Sequence, residues 1–159
     1  MASTLSPSSK AQCCWALANS YSAAAKQLLL NPSGNLILPI VFLLGHSLEL
    51  HMKAFLISHG VSDKKLRNEL GHNLIACFRK SRSLGLCQHL SLSKRQVQQI
   101  IQINRYYQEK QLEYFSGTAK RFGSMEDFCS TVEQISRAVF NPITAENFRA
   151  LSPASKPER

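Results

Sequence analysis

The stretch LILPIVFLLGHSLELHMKAFLISH, residues 36–59, decides the fold. Side chains of its inner face recur at steps of three and four, which is the period of an α-helix with one buried side; they are Val41, Leu44, Leu48, Met52, Phe55 and His59. Pro39 falls in the first turn, where its missing N–H costs little. Gly60 follows in the position typical of a helix end. The stretch therefore predicts a buried central helix from about residue 36 to residue 59.

The same segment is so apolar that it could be a membrane-spanning helix. Residues 36–44 carry no polar side chain, but His46, Ser47 and Glu49 follow directly. A bilayer-spanning helix needs roughly 18–20 mainly apolar residues in succession. We therefore expect a core helix of a protein that does not enter a membrane.

Other helical segments surround this one. The first is predicted from Ser9, with Gln12 three residues later as in a capping box, to a turn at residues 31–34. The third covers about residues 72–84. The fourth begins at Ser93, again with a Gln three residues later, and its inner face extends to Leu112.

The fifth helix is predicted to follow Ser124 and to stop at residues 141–142, an Asn-Pro pair. Together the segments predict an all-α fold, an up-and-down bundle of four or five helices. We assign residues 1–8 to an N-terminal tail and residues 9–140 to the bundle. Residues 141–159 are assigned to a short helical turn and a loose C-terminal tail.

The charge of the chain is strongly basic and unevenly spread. The 159 residues include 19 Lys and Arg but only 10 Asp and Glu, a net charge of +9. Residues 60–123 alone hold 12 basic and four acidic side chains. An anionic partner such as RNA or a nucleotide would bind such a surface, although an ordinary solvated face has the same composition. No aromatic-rich strand motif for RNA accompanies it.

The cysteines and the N-terminus indicate a reducing compartment. The five cysteines are odd in number and form no C-x-x-C pair, which argues against a disulfide framework or a zinc ribbon. The first ten residues are polar and lack the basic-then-apolar layout of a signal peptide. We expect a cytoplasmic protein with free thiols. A glycine-rich phosphate loop and a serine-elbow motif are both absent from the sequence, and we expect no cofactor.

A polar stripe runs beside the apolar face of the central helix. His46, Glu49 and Lys53 fall at i, i+3 and i+7. A His and a carboxylate at this spacing occur in metal sites, but Lys53 would oppose a cation and no second inward carboxylate pattern is found. We predict no metal site and instead a polar seam, in which Glu49 pairs with Lys53 or with Arg105 or Tyr107 of the fourth helix. This seam would lie at a dimer interface or under a nucleotide pocket.

Several short motifs together resemble HEPN domains (higher eukaryotes and prokaryotes nucleotide-binding). HSLELHMKAFL at residues 46–56 is similar to the Ala-x-Glu-x-x-x-Lys-Ala-like pattern of the family's second helix, and GHNL at residues 71–74 is similar to its His-Asp-Leu-like start of the next helix. NRYY at residues 104–107, with LEY at 112–114, resembles the family's Tyr-containing helix, although Glu113 stands where an Arg is expected. The resemblance covers about residues 10–140 and implies a helical bundle that is often a dimer.

The resemblance also implies candidate catalytic residues. HEPN ribonucleases carry an Arg, four to six residues and then a His, presented twice across a dimer interface. Arg67 and His72 fit with four intervening residues, and Arg82 and His89 with six. In this hypothesis His72 moves a proton at the ribose 2′-OH or the leaving oxygen, Arg67 stabilises charge on the phosphate, and Asn68 positions either group. In the alternative, His72 caps the third helix and Arg67 is a loop residue.

The sequence therefore supports two hypotheses. The first is a HEPN-like homodimer that binds or acts on RNA or nucleotides, in a toxin–antitoxin or defence setting; if catalytic, it is a metal-independent endoribonuclease. The second is a non-catalytic helical module that pairs with itself or with a partner protein such as a nucleotidyltransferase.

Overall fold

The structure, a computed structural model, describes residues 5–30, 36–114, 117 and 119–151. Over these residues the protein is all-α, without a strand, so the predicted fold class is confirmed. Five of its six α-helices are long enough to build the bundle; in order they are α1 (Pro7–Leu29), α2 (Ile37–Ser58), α3 (Asp63–Lys65), α4 (Leu74–Ser83), α5 (Lys94–Tyr107) and α6 (Met125–Leu151).

Helix α2 is the centre of the bundle. It packs against α1, α4, α5 and α6. Five of its six predicted inner side chains are fully buried: Val41, Leu44, Leu48, Met52 and Phe55. His59, predicted on the same face, is exposed and stacks on the Phe55 ring at 4.0 Å between centroids. The apolar period therefore identified the core correctly except at the last turn.

Among the described helices, only α2 is long and apolar enough to cross a membrane. Of its most apolar stretch, 72% is buried inside the bundle. The neighbouring helices therefore account for most of its apolar surface.

Helix α1 begins at Pro7, two residues before the predicted start at Ser9. Ser6 is its N-cap, and the Ser6 side chain accepts a hydrogen bond from the Ser9 N–H. Proline suits the first helical position because its missing N–H would have no partner there. The predicted turn at residues 31–34 lies outside the described residues.

The basic connection after α2 contains more helix than the single turn that its composition suggests. Helix α3 continues directly into a π-helical turn, Leu66–Leu70, which ends at Gly71 with φ +51°. The next helix, α4, is capped by Asn73, whose side chain accepts from the Ala76 N–H at 2.9 Å. His72 is therefore neither the cap nor the first residue of this helix, and the prediction that gave it that position is wrong.

Helix α5 confirms the capping box of Ser93 and Gln96 at its start. Its end differs from the prediction, because the helix stops at Tyr107 and does not reach Leu112. Lys110 follows with φ +57°, a left-handed backbone that an α-helix cannot contain.

Helix α6 starts as predicted, with the Ser124 hydroxyl accepting from the Asp127 N–H at 3.1 Å. It does not stop at Pro142, which lies inside the helix. Ile143, only 2% exposed, anchors the following turn in the core, and Thr144 donates to the carbonyls of Phe140 and Asn141. Burial thus outweighs the hydrogen bond that proline removes. Helical structure extends beyond residues 9–140 at both ends; residues 152–159 lie outside the described part.

Candidate functional site

The start of helix α4 is held against helix α5. The Leu74 N–H donates to the Asn104 side-chain oxygen at 2.7 Å, and the Asn104 amide donates to Gln108 at 2.9 Å. Asn104 therefore satisfies an N–H group that a helix start leaves without an intrahelical partner. This contact fixes the position of His72, two residues earlier, beside α2 and α5.

A buried carboxylate, that of Glu49, lies at the centre of the site. Its side chain is 2% exposed. One carboxylate oxygen, Oε2, accepts from the Tyr107 hydroxyl at 2.6 Å and lies 3.1 Å from His72 Nδ1. The other, Oε1, accepts from Lys53 Nζ at 2.5 Å. With His46, these side chains form what we call the Glu49 cluster.

The electrostatics of the Glu49 cluster keep its carboxylate ionised. Burial raises the pKa of Glu49, but the hydrogen bonds from Lys53, Tyr107 and His72 outweigh it and hold the pKa below its usual value. An ionised carboxylate only accepts hydrogen bonds. His72 Nδ1 must therefore carry the proton in its bond to Glu49.

His46 extends the hydrogen-bond chain by one step. Its Nδ1 lies 2.9 Å from the Tyr107 hydroxyl oxygen. Since that hydroxyl donates to Glu49, its oxygen accepts from His46. Burial lowers the pKa of His46 and, together with Glu49, raises the pKa of Tyr107, so both groups are held neutral.

Aromatic rings hold His46 in place. Tyr21 of α1 meets the His46 ring edge-on at 4.6 Å, and Phe42 lies parallel to it at 5.9 Å between centroids. Gly45 lets the Tyr107 ring approach the α2 backbone, because a Cβ at this position would lie 2.9 Å from Tyr107 Cδ2. The polar chain is thus embedded in closely packed side chains.

His72 is the accessible end of the Glu49 cluster. Its side chain is 49% exposed, whereas that of Glu49 behind it is almost fully buried. In the neutral ring, with Nδ1–H donated to Glu49, Nε2 carries the lone pair that can accept a proton or a hydrogen bond from a ligand. A carboxylate that fixes the tautomer of an accessible histidine is the arrangement that general-base catalysis uses.

The structure brings together five of the residues predicted from the sequence. His46, Glu49, Lys53, Tyr107 and His72 are in contact, and the predicted seam is confirmed in its pairing of Glu49 with Lys53 and Tyr107. The bond between Glu49 and His72 was not predicted, since 23 positions separate the two residues and no local pattern joins them.

The other predicted site residues lie outside this hydrogen-bonded cluster. Arg67, Asn68 and Arg105 are exposed, and none of them bonds a side chain of the cluster. Arg67 and Asn68 belong to the π-helical turn before His72. Of the two predicted partners for Glu49 on α5, Tyr107 is the one that binds it and Arg105 is not. Arg82 and His89, the second Arg/His pair, are also exposed.

Sequence reasoning missed Tyr21, Phe42, Asn73 and the role of Asn104. Phe42 and His46 are four residues apart on α2, so helical spacing was an available signal. Tyr21 reaches the site through the packing of α1 on α2, which leaves no signal in sequence.

Within the described ranges, no group of three or more His, Cys, Asp and Glu side chains is placed to hold a metal ion. In the Glu49 cluster itself, the ammonium of Lys53 occupies the position beside the carboxylate where a cation would bind.

The basic side chains of residues 60–123 lie at the surface of the protein. All 12 basic side chains of residues 60–123 are exposed apart from Lys120, which is half-buried. Arg95 forms an ion pair with Asp127, at 2.6 Å. The basic side chains of this stretch are therefore accessible to solvent and are not buried in the core.

No family model, no curated protein and no solved structure matches this chain.

Proposed function

We propose that this chain is a HEPN-like protein that acts on RNA at the surface around His72, as a metal-independent endoribonuclease. The observation that carries the proposal is the bond from the half-exposed His72 to the buried, ionised Glu49. The motif resemblance and the exposed positive charge of residues 60–123 support RNA as the substrate.

In the proposed reaction, His72 Nε2 removes the proton from a ribose 2′-OH. The 2′ oxygen then forms a bond to the neighbouring phosphorus, and the bond from phosphorus to the 5′ oxygen breaks. That oxygen takes a proton from solvent, which leaves a 2′,3′-cyclic phosphate and a 5′-hydroxyl end. Glu49 keeps Nδ1 protonated and stabilises the imidazolium that forms.

Arg67 has the role of stabilising charge on the phosphate in this proposal. It lies exposed in the π-helical turn, an element that is frequent at functional sites. Asn68, next to it, would position the phosphate or the ribose. The resemblance to HEPN domains implies a homodimer, in which each subunit would contribute one Arg67 and one His72.

The test is cleavage of a labelled single-stranded RNA in the presence of EDTA. We expect the wild-type protein to produce cyclic-phosphate ends. Loss of the general base in His72→Ala should slow cleavage at least about a hundredfold. His89→Ala is the control, since His89 is also exposed but lies outside the Glu49 cluster, and this variant should cleave at the wild-type rate.

Equal cleavage by wild type and His72→Ala, or no cleavage by either, would refute the catalytic proposal. Binding of RNA without cleavage would favour the alternative, a non-catalytic module that pairs with itself or with a partner protein. Arg67→Ala separates the two roles further, because loss of a phosphate-stabilising group slows cleavage by about a hundredfold while leaving the fold intact.

A further inference from the structure

A second candidate binding site lies at the opposite end of the α4–α5 pair. The two helices run antiparallel, because Leu74 at the start of α4 contacts Asn104 near the end of α5, whereas Phe78 and Arg82 share a pocket with Val97 of early α5. Helix α4 has ten residues and is therefore about 15 Å long. The pocket and His72 are separated by roughly that length.

The pocket is a recess lined by both apolar and polar side chains, with one arginine at its edge. It has a volume of about 270 Å³. Its apolar lining consists of the buried Phe78, Leu86 and Leu90 and the half-buried Leu92 and Val97. The rim carries Arg82, Cys87 and Ser91. A ligand that fits would combine an apolar ring with an anionic group.

Arg82 supplies the charge complementarity that selects this ligand. Its guanidinium lies 5.9 Å from the centroid of the Phe78 ring. In the part of the chain that the structure describes, the Arg82 side chain has no hydrogen bond and no ion pair, so its five N–H donors are available to a phosphate. Arg79 and Lys80, exposed on the same helix, add to the positive potential.

We propose that this pocket binds a nucleotide, with the base against the apolar lining and the phosphate at Arg82. The inference rests on the proposed function in taking RNA as the source of that nucleotide. A base bound in the pocket and a scissile phosphate at His72 would then belong to one RNA strand that runs along α4. The pocket would then set the distance between a recognised base and the cleaved bond.

The first test uses Cys87 as a reporter in the wild-type protein. Alkylation by iodoacetamide is followed by mass spectrometry with and without adenosine monophosphate or uridine monophosphate. We expect the nucleotide to slow alkylation of Cys87. Cys13 is the internal control, because it is exposed but does not line the pocket, and its alkylation should not change. Equal rates at Cys87 with and without either nucleotide overturn the proposal.

The second test measures the affinity of variants for the same nucleotides. Arg82→Gln should weaken binding roughly tenfold, since a hydrogen bond to a charged group is lost. Arg79→Gln removes the same charge from the same helix outside the pocket, and should change affinity less than twofold. Equal losses in both variants would mean that only the general charge matters, and would overturn the pocket assignment.

Further ligands test whether the base is needed for binding and whether the bound nucleotide belongs to RNA or is free. Ribose 5-phosphate and inorganic phosphate lack the base and should bind at least tenfold more weakly. An eight-nucleotide RNA should bind more tightly than the mononucleotide if RNA is the source; equal affinity would assign the pocket to free nucleotides. Mononucleotide binding at the pocket does not require cleavage, so failure of the cleavage proposal and failure of the pocket give different results.

Discussion

The single residue with the most consequences is Glu49. Its carboxylate accepts from Lys53, Tyr107 and His72, which belong to three different parts of the chain. A buried carboxylate is stable only when such donors replace water. The residue therefore joins the central helix to the start of α4 and the end of α5, and at the same time sets the tautomer of His72.

We predict that Glu49→Gln lowers the free energy of unfolding by about 3 kcal/mol, because Lys53 loses its buried counter-charge. Urea unfolding at neutral pH measures the change. The control is Glu69→Gln, an exposed position where the change should stay within about 0.5 kcal/mol. Similar losses in both variants would contradict the role given to the Glu49 cluster.

A second buried polar group, around His51, makes stability depend on pH. His51 is fully buried, with Nε2 3.3 Å from the Asn19 side-chain oxygen and Nδ1 3.4 Å from the Ser47 hydroxyl. Ser136 of α6 donates to the same Asn19 oxygen at 2.9 Å. Burial lowers the pKa of His51 from 6.5 to about 4. His51 is therefore neutral in the folded protein over the usual pH range.

The pH prediction follows from the direction of this shift. The unfolded chain takes up a proton at His51 near pH 6.5, whereas the folded chain does so only near pH 4. The stability that neutral His51 contributes is thus complete above pH 6.5 and is lost as the pH falls towards 4. Between pH 7.5 and pH 5 we expect a loss of roughly 2 kcal/mol in urea unfolding. The lowered pKa of His46 acts in the same direction.

His51→Gln is the variant that tests this assignment. It removes the titrating group, so the difference in stability between pH 7.5 and pH 5 should shrink to what His46 and the other groups contribute. An unchanged pH dependence in this variant would show that His51 is not its source.

At the scale of elements, the sequence predicted what depends on local period and capping. The buried face of α2 follows from its apolar spacing, and the start of α5 from the capping box of Ser93 and Gln96. Local signals failed where tertiary packing decides. Pro142 indicates a stop, but burial of Ile143 carries α6 past it.

For the site as well, the sequence predicted contacts within one helix but not contacts that depend on how the helices pack. His46, Glu49 and Lys53 share one helix, so spacing alone placed them together. Tyr107 was one of two alternatives on α5, and the choice between Tyr107 and Arg105 depends on how that helix faces α2. The contact between His72 and Glu49 depends on the π-helical turn and on Gly71, whose effect on chain direction no periodicity describes.

The close contact between α2 and α5 gives a prediction at this scale. Gly45→Ala places a methyl group 2.9 Å from Tyr107 Cδ2, and the buried ring is held by its bond to Glu49. Overpacking costs about 1–3 kcal/mol, against a gain in helix propensity of up to about 1 kcal/mol. We expect a net loss of roughly 1 kcal/mol in thermal or urea unfolding.

Gly123→Ala is the matched control for this prediction. The nearest atom to a Cβ at Gly123 is the Gln99 side-chain nitrogen at 3.6 Å, an ordinary contact. This variant should not be destabilised. A Gly45→Ala protein as stable as the wild type would mean that α2 and α5 are not in close contact at Tyr107.

At the scale of the whole molecule, most of the excess positive charge and the accessible histidine belong to the same stretch of the chain. Residues 60–123 form the connection after α2, both helices of the α4–α5 pair and the loops beside them. His72, the accessible end of the Glu49 cluster, lies within this stretch. Exposed positive charge attracts the RNA backbone whatever its sequence. In the proposed function, the oriented His72 then acts as the general base on the bound RNA.

The most direct test of this account is a nuclear magnetic resonance titration of the labelled protein with single-stranded RNA at low salt. We predict that the backbone amides of residues 67–74 and the His72 ring shift most, and that the shifts weaken steeply as salt increases. A protein that shows no shifts in this stretch, or whose largest shifts lie in α1 and α6, would contradict the claim that it acts on RNA at His72.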